Sequence, residues 1–232
     1  MLVYGKNVAF DLLKKNKNVK KIYFQDNFED ENIISLVKKL KIPFNYCTKS
    51  EMNRLCNGVH QGIILDIPDY SYKKLDDLFL SGEDFIVILD HLEDPHNLGA
   101  IIRTCEAAGV QYVILPKNRQ VLINSTVMKT SAGTLDSVNI VLVNNISQAI
   151  CDLKKHNFWI VGTSLENSQD YRSIDYSGKI ALVIGNEGSG ISKLVAKNCD
   201  FLAKIPMYGN TNSLNASVAS GIMIYEIIRN RK

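Results

Sequence analysis

Apolar positions along this chain follow two rhythms, and the change between them divides it. Over the first 67 residues short extended runs alternate with helical spacing. Val8 to Lys15 reads as a helix, Val19 to Gln25 as a strand, and Glu29 to Leu40 as a helix with Ile33, Leu36, Val37 and Leu40 on one face. Ile42 to Cys47 is extended again, Ser50 is placed to cap a short helix through Leu55, and Gly62 to Ile67 supplies another strand. The pattern predicts a small α/β unit over residues 1–70. Asp69 to Asp84 is polar and turn-rich, with Ser81-Gly82 as a breaker pair, which predicts a linker over 71–84.

From Phe85 onward the rhythm is of continuous apolar runs of strand length: Phe85 to Leu89, Tyr112 to Leu115, Val138 to Val143, Phe158 to Gly162, Ile180 to Ile184 and Phe201 to Ile205. Such runs suit strands buried on both faces. Helical segments fall between most of them, at Leu98 to Ala108, Ser125 to Ser131, Ser147 to Lys155, Ile191 to Asn198 and Ala216 to Arg229. Residues 85–232 are therefore expected to form an α/β domain around a mostly parallel, doubly covered sheet.

Composition narrows the class. With 46% apolar residues in 232 the chain can bury a real core. No charged-then-apolar leader is present, and no apolar stretch approaches the ~18 residues that cross a bilayer, so a cytoplasmic protein with no membrane partner is expected. Cys47, Cys56, Cys105, Cys151 and Cys199 are scattered, and His60, His91, His96 and His156 form no ligand spacing. Reduced, mostly buried thiols and no metal follow as expectations. Residues 1–79 hold 13 Lys and Arg against 10 Asp and Glu, whereas the rest is balanced, 14 against 14. That basic excess fits a solvated helix face or a polyanion-facing patch, and charge does not decide between them.

Three polar stretches sit between strand-like runs and helix starts, where open α/β sheets place ligands. Gly185-Asn186-Glu187-Gly188-Ser189-Gly190 spaces its glycines as G-x-x-G-x-G, not as the dinucleotide fingerprint, and follows the fifth run of its domain, not the first. Asp94-Pro95-His96-Asn97 precedes a helix expected to start near Leu98, with Arg103 in its second turn. Such an Arg, amid small apolar residues, needs a polar partner, either a structural ion pair or a ligand. Asn212-Ser213-Leu214-Asn215-Ala216-Ser217 holds more polar side chains than one helix cap needs.

Together, Asn97-Leu98-Gly99-Ala100 with Arg103, Gly185-Asn186-Glu187-Gly188 with Gly190-Ile191-Ser192, and Ile205-Pro206-Met207 followed by Ser213-Leu214-Asn215-Ala216-Ser217 resemble the three motifs of the SPOUT superfamily. Within it they resemble the spoU/TrmH-type RNA 2′-O-ribose methyltransferases. Val3-Tyr4-Gly5 and His60-Gln61-Gly62 resemble the small L30e/L7Ae-like substrate-binding domain of the branch that methylates guanosine in 23S rRNA. The resemblance implies a C-terminal domain with a deep trefoil knot, S-adenosyl-L-methionine as cofactor, RNA as partner and a homodimer. It places the cofactor against Thr163, Gly185, Ile205 and Leu214, and gives the catalytic work to Arg103, Asn97, Glu187, Ser213 and Asn215, with His96 shaping its loop. A guanidinium is effectively always protonated, so Arg103 is expected to bind the target phosphate and acidify the neighbouring hydroxyl, oriented by the other four. A tRNA-directed enzyme and a catalytically silent RNA-binding protein on the same fold are the alternatives; a nucleotide-dependent oxidoreductase is disfavoured by the glycine spacing.

Overall fold

The computed structural model describes residues 1–56 and 58–231. They divide into two units, Met1–Ser71 with Ile123–Gly133, and Tyr72–Leu122 with Thr134 onward.

The first unit runs β1 (Leu2–Tyr4), α1 (Lys6–Lys14), β2 (Lys21–Gln25), α2 (Glu31–Lys39), β3 (Phe44–Cys47), α3 (Lys49–Leu55) and β4 (Ile63–Asp66). The strands pair in the order β1-β4-β2-β3; β4 is antiparallel to both neighbours and β3 lies parallel to β2 on the edge. Period-2 alternation puts Ile22 and Phe24 on one face of β2, where they meet Ala9 and Leu13 of α1 and Ile33 and Val37 of α2 in one buried cluster. Helix α2 starts where the Asp30 carboxylate accepts from the Ile33 amide at 3.3 Å. Helix α3 is capped by Thr48 and not by Ser50: the Thr48 hydroxyl accepts from the Glu51 amide, and Glu51 accepts from the Thr48 amide at 2.8 Å. The reciprocal pair satisfies two free donors at once, which a cap at Ser50 would not.

The second unit continues with α4 (Leu75–Ser81), β5 (Phe85–Asp90), α5 (Pro95–Ala107) and β6 (Tyr112–Pro116). Next in the chain, α6 (Ser125–Thr130) belongs to the first unit, where Met128 packs on its core and Gly133 accepts from Lys15 Nζ at 3.0 Å. The second unit resumes with β7 (Asn139–Val143), α7 (Ile146–Lys155), β8 (Phe158–Thr163), β9 (Gln169–Asp170), β10 (Lys179–Gly185), α8 (Lys193–Asn198), β11 (Phe201–Lys204) and α9 (Ala216–Arg231). Helix α4 occupies the stretch expected to be linker, because Leu75, Leu78 and Phe79 give it an apolar face against the core around Ile86 and Ile88.

All seven strands of the second unit are parallel, in the order β7-β6-β5-β10-β8-β11-β9. The chain moves outward from β5 to β6 and β7 on one side, crosses to β8 on the other, and later inserts β10 between β5 and β8. Between β5 and β10 the direction reverses, the place where open α/β sheets form a ligand crevice at the carboxyl ends of the strands. Register puts Asp90 of β5 beside Gly185 of β10 at that end.

Of the five thiols Cys105 alone is fully buried, Cys151 is exposed and the other three are half-buried, which corrects the expectation of a mostly buried set. Burial pushes Cys105 and Cys199 up to about 12, so both stay protonated near neutral pH. Among the described residues no helix is long and apolar enough to cross a membrane.

Candidate active site

Helix α5 begins at Pro95, three residues before the expected start. The Asp94 carboxylate accepts from the His96 amide at 2.9 Å, and the proline at the first helical position lacks the amide a helix start would leave free. Asn97 thus lies in the first turn, only 7% exposed. Its amide nitrogen donates to Glu187 Oε1 at 2.7 Å and its oxygen accepts from Asn215 Nδ2 at 3.0 Å. Three motifs, separated by 90 and 118 residues, meet in this hydrogen-bonded line. The Asn215 oxygen is already spent at the start of α9, accepting from the Ser217 amide at 2.9 Å and its hydroxyl at 2.6 Å. Asn215 and Asn97 are thereby positioning groups, and the exposed Glu187 carboxylate keeps one oxygen open among the described residues.

The loop carrying Glu187 is a closed hairpin. Asn186 and Gly190 exchange backbone bonds of 3.0 and 2.9 Å, the Asn186 side-chain oxygen accepts from the Gly188 amide at 2.9 Å, and its nitrogen donates to the His91 carbonyl at 2.9 Å. Behind it Asp90 accepts from the Ser192 amide at 2.7 Å and lies against the His91 ring. Gly185 is explained by the same closure: a Cβ there would stand 2.1 Å from the Gly190 carbonyl carbon and 2.2 Å from the Ile191 nitrogen. The hairpin's own backbone fills that space.

The loop from Ile205 to Leu214 is built differently. Ile205, Pro206, Met207 and Leu214 are half-buried. Among the described residues no backbone amide from Met207 to Leu214 has a hydrogen-bond acceptor. Its tether is Tyr208, whose hydroxyl accepts from Arg172 at 3.4 Å while Arg172 grips Asp170 through two nitrogens at 2.9 and 2.6 Å. The neighbouring strand β8 ends at Thr163, whose hydroxyl is spent on the Val183 carbonyl at 3.2 Å, leaving backbone for a ligand. Shortly beyond, the Ser168 hydroxyl is buried with no partner among the described residues. Half-buried apolar side chains, unspent amides and an orphaned hydroxyl at the carboxyl ends of β8, β10 and β11 fit a ligand such as S-adenosylmethionine, an apolar-bodied molecule with a polar rim.

Two expected residues stand apart from the hydrogen-bonded line. Arg103 falls in the third turn of α5, exposed, because the helix starts earlier than expected, and among the described residues it has neither a hydrogen bond nor an ion pair. The expectations of a buried-side Arg and of its orientation by Asn97, Glu187, Ser213 and Asn215 are therefore corrected within one chain. Ser213 is likewise exposed and makes no bond among the described residues.

Residues 84–225 match the SpoU rRNA Methylase family model, and residues 2–73 match the model for RNA 2′-O ribose methyltransferase substrate binding. YacO of Bacillus subtilis, assigned to the TrmH family of tRNA/rRNA methyltransferases, is 38% identical over 99% of this chain and 95% of its own length. The S-adenosylmethionine-bound rRNA methyltransferase of Sinorhizobium meliloti superposes with a TM-score of 0.77 at 26% identity, covering 98% of this chain and 86% of that one. The SpoU methyltransferase AviRb of Streptomyces viridochromogenes, solved with the same cofactor, shares the fold at a TM-score of 0.82 and 24% identity over 100% of this chain and 90% of its own. The chain belongs to the SpoU/TrmH family of S-adenosylmethionine-dependent RNA methyltransferases.

Proposed function

We propose that this chain methylates a ribose 2′-hydroxyl of structured RNA, a guanosine in 23S rRNA being the favoured target. The observation that carries the reading is the line Asn215–Asn97–Glu187, which aims one fixed, open carboxylate oxygen from a hairpin at the strand ends. Such an oxygen accepts from a ribose hydroxyl. When bound, S-adenosylmethionine supplies an electrophilic methyl on a sulfonium. Thr163 and Gly185 backbone with Ile205 and Leu214 side chains would hold it, Glu187 would fix the hydroxyl in line, and Arg103 would pair with the target phosphate, favouring loss of the hydroxyl proton to water as the methyl–sulfur bond breaks, leaving a neutral thioether, and the new O–C bond forms. Ser213 adds a hydroxyl to the ribose.

The reading includes a deep trefoil knot around the cofactor loops, a homodimer and a cytoplasmic setting. Arg103, exposed and without a partner among the described residues, supports a site completed by a second copy, and half-exposed Val218 and Tyr225 on α9 offer that copy an apolar stripe. The match of residues 2–73 to an RNA substrate-binding model supports RNA as the substrate.

Arg103→Lys and Arg103→Ala test the mechanism. Single-turnover methylation is expected to fall by about 100-fold or more in the alanine variant, beyond any loss of RNA affinity. Wild-type rates in both would remove Arg103 from catalysis.

A further inference from the structure

A second feature lies on the opposite flank of β10 from the cofactor loops. Over the carboxyl ends of β7, β6, β5 and β10 the surface opens into a cavity of about 510 Å³, walled by Asp90, Glu93, Arg119, Asn144, Asn145 and Ser189 among others. Its size falls in the range of small-ligand sites, roughly 300–1,000 Å³. Its place at the sheet's reversal point, sharing the Asn186–Gly190 hairpin with the residues assigned to the ribose, makes it part of the same working edge.

The wall carries both signs of charge, uncompensated. Arg119 and Glu93 are exposed, and among the described residues neither has a hydrogen bond or an ion pair. Their loops are nevertheless fixed to each other: the Gln120 side-chain oxygen accepts from the Leu92 amide at 2.8 Å, and the Val121 amide donates to the Leu92 carbonyl at 2.8 Å. Asp90, 1% exposed, is already engaged by Ser192 and His91 and adds negative potential behind Glu93. A simple anion would meet Asp90 and Glu93, and a simple cation would meet Arg119. A ligand with an anionic group at one end and two adjacent N–H donors at the other satisfies both walls. A guanine nucleotide has that chemistry, because an ionised carboxylate is acceptor-only and the guanine edge offers N1–H and N2–H₂ side by side, where adenine presents an acceptor.

Resting on the RNA-methylation reading, we infer that this cavity takes one unpaired guanosine nucleotide of the substrate RNA, its phosphate at Arg119 and its base edge at Glu93. The cavity lining does not include Asn97, Glu187 or Asn215, so this nucleotide is a neighbour of the methylated one. Base edges of single-stranded segments are the usual carriers of RNA sequence specificity, and this site would select substrate by the residue beside the target.

Titration of the full-length protein with GMP, AMP and inorganic phosphate, in the presence of S-adenosylmethionine, tests the inference. Wild type is expected to prefer GMP over AMP by about tenfold or more, Glu93→Gln to erase that preference, and Arg119→Ala to weaken both nucleotides by about tenfold while leaving cofactor affinity unchanged. Equal binding of GMP and AMP, a preference that survives Glu93→Gln, or no nucleotide binding overturns it. If ribose methylation persists under any of those outcomes, the cavity assignment alone falls; if the protein fails to bind S-adenosylmethionine, the reading beneath it falls.

Discussion

Two loops leave the same sheet edge and are built in opposite ways. The hairpin from Asn186 to Gly190 closes on itself, ties its one asparagine to His91, and presents Glu187 through a buried partner in another motif. The loop from Ile205 to Leu214 leaves its amides from Met207 onward unspent among the described residues and depends on Tyr208, 87% exposed, for a tether. The difference separates two tasks: chemistry needs a group held in place before the substrate arrives, whereas a cofactor loop can acquire its hydrogen bonds from the ligand.

Breaking the rigid side is expected to have the largest effect. Asn97→Ala removes the link between Asn215 and Glu187 and should lower kcat by about 100-fold, with the Kd for S-adenosylmethionine changed by no more than about threefold. Single-turnover assays beside calorimetric titration check the split, and a comparable loss of cofactor affinity would merge the two tasks. On the open side, Leu214→Ala should weaken S-adenosylmethionine by about tenfold through lost apolar contact, read by the same titration. Two glycines sharpen the contrast further. Gly185→Ala forces a Cβ into the hairpin backbone and should lower Tm by several degrees, whereas Gly209→Ala, with nothing within 4 Å, should leave it nearly unchanged.

The smallest effect concerns the tether. Hydrogen bonds from Arg172 hold the Asp170 carboxyl at about 2, below its ordinary 3.8. A carboxyl depressed by folding stabilises the protein fully above its unfolded value, and that contribution is lost as pH falls from 3.8 through about 2. NMR titration of Asp170 in Arg172→Ala should move up toward the ordinary value without reaching it, because the residue-172 amide still donates to the carboxylate; an unmoved midpoint would show that the guanidinium does not hold it.

Much of this architecture is legible in the sequence because strands buried on both faces read as unbroken apolar runs, as Phe85 to Leu89 and Ile180 to Ile184 do. Strands β1 and β9, of three and two residues, are too short to show a period. Helix α4 hides in a polar stretch because three apolar residues carry its whole face. The start of α5 was written in Asp94-Pro95, an N-cap followed by a proline suited to the first turn, and Asn97 beside Gly99 masks it as loop. Placement of Ile123–Gly133 in the first unit has no sequence signal, since the segment lies between two strands of the other sheet.

The site divides in the same manner. Asn97, Glu187 and Asn215 are found by resemblance, but separations of 90 and 118 residues give no hint that they touch. Arg119 and Glu93 follow different strands, and only the fold puts them on one wall.

Ribose methylation is tested by letting the protein methylate rRNA with isotopically labelled S-adenosylmethionine, digesting the product and locating the label by nucleoside mass spectrometry. Label on the ribose as a 2′-O-methylnucleoside is expected; label on a base, or none with cofactor bound and RNA engaged, would show that the ribose hydroxyl is not the acceptor.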